Sequence, residues 1–380
     1  MPTRTSTASS SKAAASNSSK AAGSNSSKAA QLIATLHDDP QECARIANLT
    51  YVSPDEPGLT RKRSGKGFSY KDASGVTIMD VEVRDRIKKL AIPPAWRDVW
   101  ICRTPDGHIL AVGDDERGRR QYIYHERWRS LRDQLNFYRL IGFAAGLPAI
   151  RADVATQLRR RTLDYDRVLG AMLRIIDVAG LRVGNEAYAD ENDSYGLTTL
   201  TKKHVHVRGS KIDFSFPAKS NKKAEFTIDD AGVARVISAL AGQRSRRLFV
   251  VDGTAIDSDE INSRLVELSG AHLTAKDFRT WNGTLTVFRH LRRFLPADDH
   301  AGDHVLAAID AAALKLNNTR SVCRAHYVHP AVTEGYTSGD LERFLDGKKE
   351  RGGNWLDADE RLLTQYLAEN LEARAGELFS

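Results

Sequence analysis

The sequence contains no run of about 18 apolar residues, which excludes a membrane-spanning helix. Cysteine is scarce: Cys43, Cys102 and Cys323 are far apart and odd in number. A disulfide framework and a Cys-rich zinc site are therefore not expected, and a reducing compartment fits best. There is no Gly-x-x-x-x-Gly-Lys-Ser/Thr loop and no Gly-x-Gly-x-x-Gly after a strand, which removes the usual nucleotide sites. His326 and His329 lack an evident third zinc ligand, and the adjacent acids Asp114, Asp115 and Glu116 read as solvated turn charge. No metal and no cofactor are expected.

What is present is basic charge, unevenly spread. The 380 residues carry a formal +7. Residues 1–30 hold four bases and no acid, and residues 331–380 hold eleven acids against six bases. The span between them carries +8 and is compatible with a polyanion. The length suits two domains or three, and 41% apolar content is enough for ordinary cores.

Residues 1–30 repeat Ser-Ser-Lys-Ala-Ala at 10–14, 18–22 and 26–30 and lack large apolar residues, so disorder is expected. The tail also lacks the apolar stretch of a signal peptide. It reads as a solubilising tail or a weak DNA tether. Residues 31–37 could form a helical turn or two, and Asp39-Pro40 opens a short helix at 40–47.

From about 60 to 125 the pattern is β-rich, with runs at 67–70, 76–78, 99–102 and 108–112 and a short helix at 81–90. From 127 the period becomes helical at 127–145, 150–161 and 165–179. A three-stranded meander at 204–208, 211–216 and 224–228 follows, in which His204 and His206 alternate with valines on an exposed face. Helices resume at 231–241, 258–268, 274–295 and 301–316. The acidic tail is helical around 340–345 and 357–378. The expected organisation is a basic tail and short helix (1–48), a β-rich domain (49–126), a mainly α domain (127–336) and an acidic helical extension (337–380).

Four segments put basic groups at structural junctions. In Gly180-Leu181-Arg182-Val183-Gly184-Asn185, running on through Tyr188 and Asn192 to Leu200, an arginine stands between glycines that let backbone approach a ligand. A helix C-cap with an exposed arginine fits as well. The turn 217–223 projects Lys219, Lys222 and Lys223, as proton donors or as ordinary turn charge. In Thr274-Ala275-Lys276-Asp277-Phe278-Arg279, Thr274 and Asp277 form a capping pair. Lys276 and Arg279 there oppose the helix dipole, which a bound anion would explain and solvated surface charge would tolerate. In the fourth segment Tyr327 lies among Arg320, Arg324 and His326, just before Pro330, where a half-buried packing phenol would also fit.

In this order and spacing the four segments resemble the type IB DNA topoisomerases, in particular the compact poxvirus-like bacterial group. The resemblance runs from about Leu49 to Tyr336. It includes Leu90-Ala91-Ile92-Pro93-Pro94-Ala95-Trp96 and Gly118-Arg119-Arg120-Gln121-Tyr122-Ile123-Tyr124-His125. It implies an α+β fold, with a small β-rich N-terminal lobe and a larger mainly α-helical lobe carrying a three-stranded sheet, clamped around duplex DNA. It implies Tyr327 as nucleophile with Arg182, Lys219 and Arg279 as catalytic cations and Lys276 assisting. Asn318 stands where many relatives have a histidine. Arg119, Arg120, Gln121, Tyr122 and Tyr124 match the DNA-contacting stretch, though Tyr122 and Tyr124, two apart on one strand face, could also be a packed pair.

The implied activity is relaxation of supercoiled DNA through a 3′-phosphotyrosyl intermediate, strand swivelling and religation, without ATP. The expected setting is a monomer on duplex DNA, preferably supercoiled, in the cytoplasm at the nucleoid. Two alternatives stay open: a tyrosine site-specific recombinase, against which Lys276-x-x-Arg279 replaces the usual His-x-x-Arg, and a non-enzymatic architectural DNA-binding protein.

Overall fold

The computed structural model describes residues 39–184, 194–219, 222–349 and 351–378, with backbone alone from 372. The repeats of the N-terminal tail, the helical turns at 31–37, Asn185, Tyr188, Asn192 and the hairpin tip at 220–221 lie outside the described residues. The rest divides into two compact units, one ending at Asn136 and one beginning at Phe137. Its fold class is α+β, with antiparallel sheets and twelve helices among the described residues.

The first unit opens with α1 (Pro40–Ile46), where Asp39 accepts from the backbone N–H of Gln41 and Glu42 and Pro40 takes the position that needs no donor. Its sheet has the order β2-β1-β3-β4-β5, built from β1 (Leu59–Ser64), β2 (Gly67–Lys71), β3 (Arg97–Ile101), β4 (Ile109–Asp114) and β5 (Arg120–Tyr124). Leu59, Val99, Ile101 and Ala111 face Ile87 of α2 (Val81–Lys89) and form the core of the unit. β1 is a strand the sequence pattern conceals, because Arg61, Lys62 and Arg63 interrupt any apolar alternation. The expected strand at 76–78 is only an isolated bridge, Thr77 to Lys71.

The second unit is mainly helical. The separate helices expected at 127–145 and 150–161 are one helix, α3 (Glu126–Leu158), and the division between units falls inside it. Pro148 lies within α3, so a proline that commonly ends a helix is here passed over. α4 (Tyr165–Ala179) starts at the Asp164 cap and stops at Gly180, whose φ of 57° is left-handed. The meander is β6 (Val205–Arg208), β7 (Lys211–Ala218) and β8 (Lys222–Asp229), paired antiparallel in that order. β7 and β8 run further than expected: Pro217 pairs with Lys223 and Ala218 with Lys222, so the turn is tighter than 217–223.

His204 corrects the expected exposed histidine face. It belongs to a 3₁₀ turn, is buried, and packs edge-on against Tyr195, while His206 is exposed. After α5 (Ala231–Ala241), the two-stranded ribbon β9 (Val250–Val251) and β10 (Thr254–Ala255), and α6 (Ser258–Ser269), the chain enters α7 (Ala275–Arg292). α7 is buried along most of its length and packs against α4, α6, α8 (Ala301–Lys315), α10 (Pro330–Ser338) and α12 (Ala358–Leu378). Between α8 and α10 lies the short α9 (Arg320–His326), and α11 (Asp340–Leu345) precedes α12. The acidic segment from 337 therefore belongs to the same compact unit as α4 and α7.

Candidate active site

Gly180 ends α4 and turns the chain into Arg182. The following segment is held by neighbouring backbone: Leu197 N donates to Arg182 O at 2.9 Å and Thr198 N to Val183 O at 2.8 Å. Gly184 and Gly196 make this possible, since a Cβ on Gly196 would overlap Gly184. The Arg182 backbone is thus fixed by main-chain bonds, and its side chain is half-buried.

Arg279 lies on the first turns of α7, behind a capping pair of the expected kind. The Asp277 carboxylate accepts from Thr274 N at 2.7 Å and from Thr274 Oγ1 at 2.9 Å. Arg279 is not the solvated surface charge that sequence alone allowed; it is 4% exposed. Its Nη1 donates to Gly180 O and its Nη2 to Leu316 O at 3.0 Å, while its Nε is buried without a hydrogen-bond partner. The guanidinium also hydrogen-bonds the Tyr327 phenol, and with no carboxylate beside it among the described residues its charge stays available to an anion.

Tyr327 caps the C-terminus of α9, its N–H donating to Cys323 O at 2.9 Å, and its side chain is half-buried. The Arg279 guanidinium stands 4.9 Å from the centroid of its ring. Burial raises the phenol pKa, but Arg279, then Arg182 and Lys276, outweigh burial and hold it below the usual tyrosine value. Arg182 also opposes the charge of Arg279, so the two cations share one locality. Lys276 is exposed, yet its charge is felt at Tyr327.

Lys219 is exposed at the end of β7. It lines a cavity of about 630 Å³ together with Arg182, Lys223 and Arg279, over a floor that includes Phe216, Phe226 and Leu316. Asn318 lies two residues after the carbonyl that receives Arg279. Its N–H is bonded to Ala313 O at 2.9 Å and its Nδ2 is buried with no hydrogen-bond partner, an unused donor beside the site. Arg182, Lys276, Arg279 and Tyr327 are therefore electrostatic neighbours. Lys219 joins Arg182 and Arg279 through the cavity, and Asn318 adjoins them through Leu316.

Two positioning residues escape sequence reasoning. A Cβ on Gly283 would overlap the Tyr327 carbonyl oxygen, so only glycine lets α7 approach this backbone. Beside it, Thr284 Oγ1 accepts from His329 N at 3.0 Å. The only signal was a glycine inside a helix, which ordinarily costs about 1 kcal/mol relative to alanine. His329 is buried and caps α10, its Nδ1 accepting from Ala331 N at 3.1 Å. Among the described residues no three His, Cys, Asp or Glu side chains gather as a metal site.

In the first unit, the stretch on β5 has a different character. Asp115 is not solvated loop charge: it accepts from Arg117 N, Arg119 N and Arg119 Nε at 2.9–3.0 Å and from Gln121 Nε2 at 3.1 Å. It orders the turn and holds Arg119 and Gln121. Arg120 pairs with Asp114 at 3.3 Å. Tyr122 and Tyr124 stack with centroids 5.7 Å apart, and Tyr122 remains 45% exposed. The pair is thus packed and presented at once. No helix among the described residues is long and apolar enough to cross a membrane.

Comparison with known proteins bears on both units. The family described as Eukaryotic DNA topoisomerase I, catalytic core, matches residues 125–343. The family described as Bacterial DNA topoisomerase IB, N-terminal domain, matches residues 67–115. DNA topoisomerase 1B of Acanthamoeba polyphaga mimivirus is 31% identical over 310 residues, covering 77% of this chain and 91% of the viral protein. DNA topoisomerase 1 of Schizosaccharomyces pombe is 26% identical over 58% of this chain and 26% of its own length. DNA topoisomerase 1B of Vaccinia virus (strain Copenhagen) is 26% identical over 32% of this chain and 38% of its own length.

Proposed function

The chain belongs to the type IB DNA topoisomerases, enzymes of the isomerase class, and from that premise we propose that Tyr327 is the nucleophile of a transient single-strand break in duplex DNA. The Tyr327 phenol gives up its proton to solvent, its oxygen bonds phosphorus, the bond to the 5′-oxygen breaks, and a 3′-phosphotyrosyl link remains. Arg182 and Arg279 receive the non-bridging oxygens, whose charge grows in the transition state. Lys219 gives a proton to the departing 5′-oxygen, with Lys276 assisting. Asn318 donates a neutral hydrogen bond to the same phosphate and carries no charge. The cut strand swivels, and the 5′-hydroxyl reverses the step.

The covalent link conserves the bond, so resealing needs no ATP. Two guanidinium groups and an ammonium can neutralise the phosphate, so the reading needs no metal. Action as a monomer is part of the same proposal. Arg119, Arg120, Gln121, Tyr122 and Tyr124 are read as duplex contacts, and a clamp of the two lobes around supercoiled DNA is part of the same proposal.

The observation that carries this reading is the buried, carboxylate-free guanidinium of Arg279 beside a phenol whose pKa is lowered. Incubation with supercoiled plasmid in EDTA without ATP tests it. Relaxation of both supercoil signs is expected, with a protein–DNA adduct trapped at Tyr327. Tyr327→Phe should abolish relaxation and keep duplex binding; relaxation by that variant would overturn the assignment. Relaxation of a plasmid without a defined recombination site separates this reading from a recombinase.

A further inference from the structure

The acidic segment after residue 337 reaches the back of the candidate site. α12 starts with a reciprocal cap: Asp357 N donates to Glu360 Oε2 at 2.9 Å and Glu360 N to Asp357 Oδ1 at 3.0 Å. The Glu360 carboxylate is buried and receives both Nη atoms of Arg151, at 2.8 and 2.9 Å. Arg151 also forks onto Asp177, its Nε and Nη2 at 2.8 and 2.9 Å. Trp281 Nε1 donates to Glu360 Oε1 at 3.3 Å, Arg151 Nη1 also donates to Trp355 O, and Arg174 Nη1 lies 3.4 Å from Asp177 Oδ2.

The partners of this cluster stand next to the proposed phosphate ligands. Asp177 is on the last turn of α4, just before Gly180, whose carbonyl receives Arg279. Trp281 follows Arg279 by two residues on α7. Asn282 Nδ2 links the two helices directly, donating to Asp177 O at 2.8 Å. The cluster borders a cavity of about 560 Å³ lined also by Lys315 and Asn282, so apolar packing alone does not set the spacing of α4 and α7 there. Stability alone does not call for the arrangement either, since a buried ion cluster is commonly no better than apolar side chains of similar volume. Two bidentate forks on one guanidinium do impose direction.

We propose that Glu360 is a positioning residue: through Arg151 and Trp281 it fixes α4 against α7, and so the placement of Arg182 and Arg279 on the phosphate. The inference rests on the reading of those two arginines given above. It gives the acidic C-terminal helix a part in the reaction without contact to DNA.

The test measures covalent adduct formation in a single turnover, with full-length protein saturating a short duplex that cannot reseal. Duplex affinity and the thermal melt are measured beside it. Glu360→Gln should slow adduct formation about ten-fold, as misplacement of reacting groups does, with duplex affinity within about two-fold. Arg151→Lys keeps the charge, loses the fork and should slow the step similarly. Because the two act as one unit, the double variant should be no slower than the slower single variant.

A Glu360→Gln rate within about two-fold of the unaltered chain, losses that multiply in the double variant, or a loss carried wholly by duplex affinity would overturn the proposal. If Glu360→Gln is unfolded at the assay temperature, Trp281→Phe replaces it, removing the N–H with the five-membered part of the indole and keeping a six-membered aromatic ring, while the thermal melt reports the effect of the smaller side chain. A several-fold slowing supports the proposal and an unchanged rate overturns it. Arg279→Ala runs in parallel with an expected loss of about 10²–10³. An unchanged rate there would locate the failure in the reading of the site, not in the role of Glu360.

Discussion

Arg279, buried, and Arg151, partly buried, belong to the same unit, yet their surroundings are opposite. Arg151 is held by two carboxylates, Asp177 and Glu360, which raise its pKa although burial opposes them. Arg289 and Arg292, also near α12, pair with Asp357 and Asp359. Arg279 has two carbonyl oxygens, the Tyr327 phenol and an unbonded Nε, and burial and Arg182 push its pKa down. Among the described residues no ion pair to a carboxylate involves Arg182, Lys276 or Arg279. A matched cation serves the fold. A buried cation left unmatched lowers stability and is retained where an anion is to be received.

The strongest way to break that contrast is to remove each arginine and measure both activity and stability. Arg279→Ala should lower single-turnover DNA cleavage by about 10²–10³. Arg279→Met, which relieves an uncompensated charge, should leave the melting midpoint unchanged or raise it. Arg151→Ala should instead destabilise the unit by about 3–5 kcal/mol in denaturant unfolding, because it takes the ion-pair partner from Glu360 and leaves Asp177 with Arg174 alone, at 3.4 Å. Equal destabilisation by Arg279→Met and Arg151→Ala would erase the distinction.

Gly283→Ala probes the same front region through backbone. The new methyl group must displace the Tyr327 carbonyl, and misplacement on the scale of 1 Å costs about 10² in rate. Duplex affinity, set by other groups, should stay within a few-fold in a filter-binding titration. A cleavage rate equal to that of the unaltered chain would mean that the close approach of α7 is not needed.

The smallest expected effect lies in pH dependence. The Tyr327 pKa is lowered, so cleavage should rise with pH through a limb that lies below the ordinary tyrosine value. Removing a cation weakens support for the phenolate and moves that limb to higher pH. Arg279→Met should move it further than Lys276→Met, in the order of their charges' influence on the phenol. A limb that stays in place in both variants would separate Tyr327 from these cations.

Much of the helical framework is legible in the sequence because local capping decides it. Asp39, Asp80, Asp164, Asp230 and Asp257 each accept backbone N–H groups at the helix starts their positions suggest. Features decided by tertiary context are not legible. α3 continues past Pro148, β1 hides in a basic run, and His204 is buried although its neighbours alternate like a strand. For the candidate site, residue types mark basic groups at structural junctions, and it is the family resemblance of four such segments that singles out Arg182, Lys219, Arg279 and Tyr327. The burial of Arg279, the need for Gly283 and the tie from Arg151 to Glu360, 209 residues away, are set by contacts no local pattern carries.

One consequence of α7 concerns how the protein can vary. Successive residues of a helix point about 100° apart, so four in a row face every side. Here Trp281 reaches Glu360, Asn282 reaches Asp177, Gly283 adjoins Tyr327 and Thr284 accepts from His329. Each has a separate obligation, and none faces solvent. These four codons therefore have no neutral neighbours: exchange at any of them disturbs a different part of the molecule. In a saturation scan for function they should form a continuous gap, whereas an amphipathic surface helix would alternate tolerant and intolerant positions.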